Sequence, residues 1–132
     1  MHVLIVESNR DLGQIWANFL TRRGLVCTQV CDPAEAYGAL RAEPFDAVVL
    51  DMELPDGGAL AVADFAAYRN PDVPIIAVSA RGFFSDGAIF QLIPNARGLL
   101  REPLRPDDMF ALVEHYGGRY VSAQASETAA AG

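Results

Sequence analysis

The chain has 132 residues, 52% of them hydrophobic and 20% charged, which is enough for one globular domain with its own core. No apolar run approaches the ~18 residues needed to span a bilayer, and the opening Met1-His2-Val3-Leu4-Ile5-Val6 lacks the basic segment of a signal peptide, so a cytoplasmic location is expected. The net charge is −7 and the arginines are scattered, so neither nucleic acid nor membrane is an expected partner.

Val3 to Val6 is a short apolar run of the kind a strand buried on both faces requires. Asn9 to Arg23 follows, with Leu12, Ile15, Trp16, Phe19 and Leu20 at the spacing of one helical face, and Gly24 ends it. Trp16 is thereby assigned to the core. Leu25 to Val30 reads as the second strand. Cys27 and Cys31 lie there roughly 13 Å apart if extended, too far for a disulfide or a shared metal ion, and both are read as buried free thiols. Asp32 and Pro33 read as a cap and a first-turn proline opening a helix to about Ala42.

Ala47 to Leu50 is the third apolar run and delivers Asp51. Gly57 and Gly58 precede an alanine-rich helix to about Arg69, stopped by Asn70-Pro71. Pro74 to Val78 reads as the fourth strand, Asp86 to Ile93 as a helix and Gly98 to Arg101 as the fifth strand. Pro106 to Tyr116 forms the last helix, with Asp107 and Asp108 in the first turn, where the helix dipole favours acids. The small, polar segment 122–132 is expected to be a disordered tail, leaving 1–121 as the domain with no output domain after it. His2 and His115 are lone histidines without ligand spacing.

Strands alternating with helices imply an α/β fold, a doubly wound five-stranded parallel sheet with right-handed crossovers. In such sheets ligands sit beyond the carboxyl ends of the strands. Those ends carry Glu7 and Ser8, Asp51, Ser79 and Ala80, and Glu102 and Pro103. Any one of these is an ordinary loop residue; their convergence after strands one, three, four and five marks a site.

Val-Glu-Ser-Asn at 6–9, Val-Val-Leu-Asp-Met-Glu-Leu-Pro-Asp-Gly at 48–57, Val-Pro-Ile-Ile-Ala-Val-Ser-Ala at 73–80 and Leu-Leu-Arg-Glu-Pro-Leu at 99–104 together resemble the receiver domains of two-component response regulators. The resemblance covers roughly residues 1–120 and implies a (βα)5, flavodoxin-like topology with strand order 2-1-3-4-5. It implies a non-enzymatic signalling module that takes a phosphoryl group from a histidine kinase or phosphotransfer protein. Carried over by position, Asp51 is the phospho-acceptor and Ser79 the hydroxyl that senses the phosphoryl group. Glu7, Asp51 and the Glu53 backbone carbonyl are the expected ligands of Mg2+.

Three positions depart from the family pattern. Ser8 stands where a second metal-binding acid is usual, leaving it a doubtful ligand and the Mg2+ site weakened. Glu102 stands at the usual lysine position, and Leu99 at that of an aromatic residue. All ten basic residues are arginine, so no lysine elsewhere can substitute. Glu7, Asp51 and Glu102 give a formal −3 where −2 is usual, which disfavours a phosphorylated state unless Glu102 turns away or joins the metal.

Two mechanisms stay open: slow phosphorylation of Asp51, or a pseudo-receiver that works by protein binding alone. An aspartyl-phosphate phosphohydrolase fits less well, because that class wants Asp-x-Asp after the first strand and a lysine. A flavodoxin-like cofactor binder is opposed by Glu7 and Asp11, which would repel phosphate. Phe83 and Phe84, adjacent apolar residues in a loop, are read as a partner surface. Ile89 and Leu92 are read as core. In receivers helix four, strand five and helix five form a common contact surface, and a homodimer through it is the expected self-association.

Overall fold

The structure, a computed structural model, describes residues 1–80 and 86–131. Strands β1 (His2–Val6), β2 (Val26–Val30), β3 (Ala47–Asp51), β4 (Ile75–Ser79) and β5 (Ala96–Arg101) form one sheet in the order β2-β1-β3-β4-β5. All neighbours run parallel. Helices α1 (Arg10–Arg22), α2 (Pro33–Ala42), α3 (Gly58–Arg69), α4 (Asp86–Leu92) and α5 (Pro106–Ala131) connect and follow them. A single 3-10 turn, Pro55–Gly57, leads into α3. Fold class and strand order are those expected.

The apolar runs are buried because both faces of the sheet are covered. Every residue of β3 and β4 is buried. Successive side chains alternate between the layers, as a strand's period of two requires. Leu4, Val6, Val48, Leu50, Ile75 and Ala77 pack with Leu40 of α2 and with Val62 and Ala66 of α3. Val3, Ile5, Ala47, Val49, Ile76 and Val78 pack with Trp16 and Leu20 of α1 and with Met109 and Val113 of α5.

Local signals set the element ends. Asn9 caps α1, its side chain accepting from the Leu12 amide at 3.1 Å, and Asp32 caps α2 through the Glu35 amide at 2.8 Å. An Asp32→Ala variant is expected to lose about 1 kcal/mol, the usual worth of such a cap, read as a lower urea midpoint with unchanged slope. Gly57 holds φ 70, the left-handed region in which glycine is unstrained, and at Gly58 a Cβ would stand 2.7 Å from Pro33 Cγ. Those two positions let α3 start tight against the first turn of α2.

Several expectations need correction. Helix α5 does not stop near Tyr116, and the segment expected to be a disordered tail is helical from Ser122 to Ala131. After Gly118 the sequence contains no glycine or proline until Gly132, and its alanine, glutamine and glutamate residues favour helix. Cys27 and Cys31 are free thiols but only partly buried, and Cys31 lies past β2. Ile15 is 58% exposed, at the margin of the α1 stripe, and Leu92 is 46% exposed because the short α4 buries Ile89 instead. Trp16 is in the core at 2% exposure. Among the described residues no helix is long and apolar enough to cross a membrane.

Candidate functional site

Register builds the site. Val6 pairs with Leu50, so Glu7 and Asp51 follow side by side at the upper ends of β1 and β3. Asp51 pairs with Val78, and Ser79 with Arg101. The ladder runs one residue past each strand: the amides of Glu7, Met52 and Glu102 donate to the carbonyls of Val30, Val78 and Ser79 at 3.1, 2.8 and 2.9 Å. These bonds hold rigid backbone where loops begin, which is what positioning a reactive group requires. By alternation Glu7 and Asp51 continue the rows facing α1 and α5, and Ser79 continues the row facing α2 and α3.

Asp51 is 4% exposed, and both of its carboxylate oxygens are engaged. Oδ2 accepts from the Ser8 hydroxyl at 2.7 Å and from the Ser8 amide at 3.2 Å. Oδ1 accepts from the Glu53 amide at 2.9 Å. The Glu53 side chain reaches across to β4, where Oε1 accepts from the Ser79 hydroxyl at 2.8 Å and Oε2 from the Ala80 amide at 3.2 Å.

Glu7 is 4% exposed, and its Oε1 accepts from the Asn9 amide at 3.1 Å. Its Oε2 is buried without a hydrogen-bond partner among the described residues. Burial, with smaller contributions from the charges of Asp51 and Glu102, raises the Glu7 carboxyl from the ordinary value to about 7, against the opposing pull of the Asn9 amide. Glu102, half-buried, is raised as well, by burial first and then by the charges of Asp51 and Glu53. Its carboxyl is thus near enough to Asp51 and Glu53 to feel their charges. Glu102 also lines a 430 Å³ groove with Leu12, Trp16, Ala80, Pro103 and Leu104, beside the site.

Asp51, Ser79, Glu7, Ser8, Glu53 and Glu102 thus converge at one edge of the sheet. Phe83 and Phe84 lie outside the described residues. Leu99 is partly buried against the α2–α3 layer. Sequence reasoning missed two roles. Glu53 was assigned only through its carbonyl, whereas its side chain holds Ser79 and Ala80; its place two residues after Asp51 was the available signal. Ser8, weighed only as a metal ligand, is a hydrogen-bond donor to Asp51.

Residues 3–114 match the response regulator receiver domain family. The chain is 33% identical over 101 residues to the response regulator protein PilR of Pseudomonas aeruginosa, covering 76% of this chain and 22% of that one. It is 30% identical over 111 residues to the transcriptional regulatory protein TcrA of Mycobacterium tuberculosis, covering 84% and 44%. It therefore spans less than half the length of these two relatives. Among solved structures, a CheY-like receiver domain from Methanospirillum hungatei superposes with TM-score 0.82 at 18% identity, covering 92% of this chain and 97% of that one. The receiver domain of a Pseudomonas aeruginosa sensor histidine kinase, with a magnesium ion coordinated in its active site cleft, gives TM-score 0.75 at 22% identity, covering 89% and 97%.

Proposed function

This chain belongs to the response regulator receiver domain family of two-component signalling, and on that premise we propose that it accepts a phosphoryl group on Asp51 from a histidine kinase or phosphotransfer protein. In the reaction an Asp51 carboxylate oxygen attacks phosphorus. The donor's bond to phosphorus breaks, its electron pair leaves with the donor, and no net proton is transferred. Transfer of this kind depends on positioning and on neutralising the charge in flight.

The observation that carries the reading is the pairing of buried Asp51 with the orphaned Glu7 Oε2 beside it. An unpartnered buried carboxylate oxygen next to a second carboxylate suits a hard divalent cation with oxygen ligands. Glu7, Asp51 and the Glu53 carbonyl would hold Mg2+, which would supply the positive charge that the absent lysine does not. Ser79 would then donate to a phosphoryl oxygen. Self-association through α4, β5 and α5 belongs to the same reading, and Phe90 of α4 is 42% exposed there.

The alternative is a phosphorylation-independent binding module. The hydrogen bonds that already satisfy both oxygens of Asp51 favour it. Intact mass after incubation with Mg2+ and an acyl phosphate decides between them. Wild type is expected to gain one phosphoryl group, and Asp51→Asn none. No gain in folded wild type, offered both the acyl phosphate and a cognate kinase, would leave the binding module.

A further inference from the structure

Glu53 occupies, with its own carboxylate, two donors at the end of β4, one of them the Ser79 hydroxyl proposed above to meet the phosphoryl group. The Ser79 hydroxyl donates to Glu53 Oε1 at 2.8 Å and the Ala80 amide to Oε2 at 3.2 Å, so one carboxylate spans both donors at the end of β4. A phosphoryl group on Asp51 would present anionic acceptor oxygens to the same donors. Both cannot be bound at once: the donors are shared, and two anions would then crowd Asp51 and Glu102. We propose that the Glu53 side chain is a built-in gate on the phospho-acceptor site, an internal stand-in for the phosphoryl group that must be displaced before the donors can receive it. The inference rests on the phospho-acceptor reading of Asp51.

Three features support displacement in place of permanent closure. Glu53 is only partly buried, so its side chain has solvent to move into. Its backbone is fixed independently, because the Glu53 amide donates to Asp51 Oδ1 at 2.9 Å. Displacement of the side chain would therefore leave the carbonyl in place. Glu102 meanwhile feels the Glu53 charge, so an acid leaving the site lowers the repulsion there. The bond formed between Asp51 and phosphorus, and the bond broken in the donor, are the same with or without the gate. What changes is which acceptor the Ser79 and Ala80 donors serve. Glu53 is thus a positioning residue.

The test measures the rate of phosphoryl uptake, by intact mass with Mg2+ and an acyl phosphate, in wild type, Glu53→Gln, Glu53→Ala and Glu102→Lys, each beside its Asp51→Asn control. Truncation to alanine leaves the Glu53 carbonyl intact and removes the carboxylate from both donors. The glutamine amide keeps one acceptor oxygen and loses the charge. Uptake is expected to rise in the order wild type, glutamine, alanine, with about a tenfold span, about what the loss of one charge-assisted hydrogen bond is worth. A structural defect would lower uptake and would not produce that graded rise. Alanine at or below wild type, while wild type or Glu102→Lys takes up phosphate, overturns the gate and spares the receiver reading. Silence in all four proteins overturns both.

Discussion

Glu102→Lys is expected to raise the rate of phosphoryl uptake by on the order of a hundredfold. The substitution changes the local charge by two units in a half-buried position that senses Asp51 and Glu53. A unit charge at about 6 Å and an effective dielectric of 20 contributes roughly 3 kcal/mol, and solvent screening at this edge reduces that. About 2.7 kcal/mol remaining in the transition state corresponds to a hundredfold. Glu102→Gln should lie between, because it removes the repulsion without supplying attraction. Pseudo-first-order rates at fixed Mg2+ check the order. A lysine variant no faster than the glutamine variant would mean that the charge at this position does not reach the reacting group.

The second expectation concerns pH. The Glu7 carboxyl is raised from 4.5 to about 7 by burial and by its acidic neighbours, so between those values the folded protein holds a proton that the unfolded chain has released. The contribution is fully present below about pH 4.5, declines as pH rises, and is gone above about pH 7. Ionised Glu7 then costs about 3 kcal/mol. Urea unfolding of wild type should show a loss of that order between pH 5 and pH 8, other groups being equal. Glu7→Gln, always neutral, should be more stable than wild type at pH 8 by about 2–3 kcal/mol and close to it at pH 5. Mg2+ should restore wild type at pH 8 and leave the glutamine variant unmoved, because metal binding requires the deprotonated acid. Equal pH slopes in the two proteins would remove Glu7 as the cause.

The sheet was legible in the sequence because its signal is local. The apolar runs at Val3 to Val6 and Ala47 to Leu50 admit little besides buried parallel strands. The Asp32-Pro33 and Gly57-Gly58 pairs locate helix starts by backbone chemistry alone. Convergence of Glu7, Asp51, Ser79 and Glu102 followed from topology, which brings strand ends together whatever the side chains do. The rest depended on information that no local pattern carries. A glutamate two residues after Asp51 does not disclose which donors its side chain will find, since that is settled by the distance to β4. Ser8 looked like a deficit when compared by position, yet its hydroxyl answers Asp51 directly. The extension of α5 was hidden because helix-forming residues without an apolar stripe resemble solvated chain, and residues 121–127 are indeed exposed.

The alternation along β3 and β4 bears on how a change at one atom spreads. Asp51 tops the row packed on α1 and α5, whereas Ser79 tops the row packed on α2 and α3. The hydrogen-bonded path from Asp51 through Glu53 to Ser79 is therefore a strut spanning the sheet from one layer of helices to the other. A change of anchor at that strut would therefore act on both layers at once. Because close-packed interiors transmit strain, its effect would not be confined to the residues that touch Asp51.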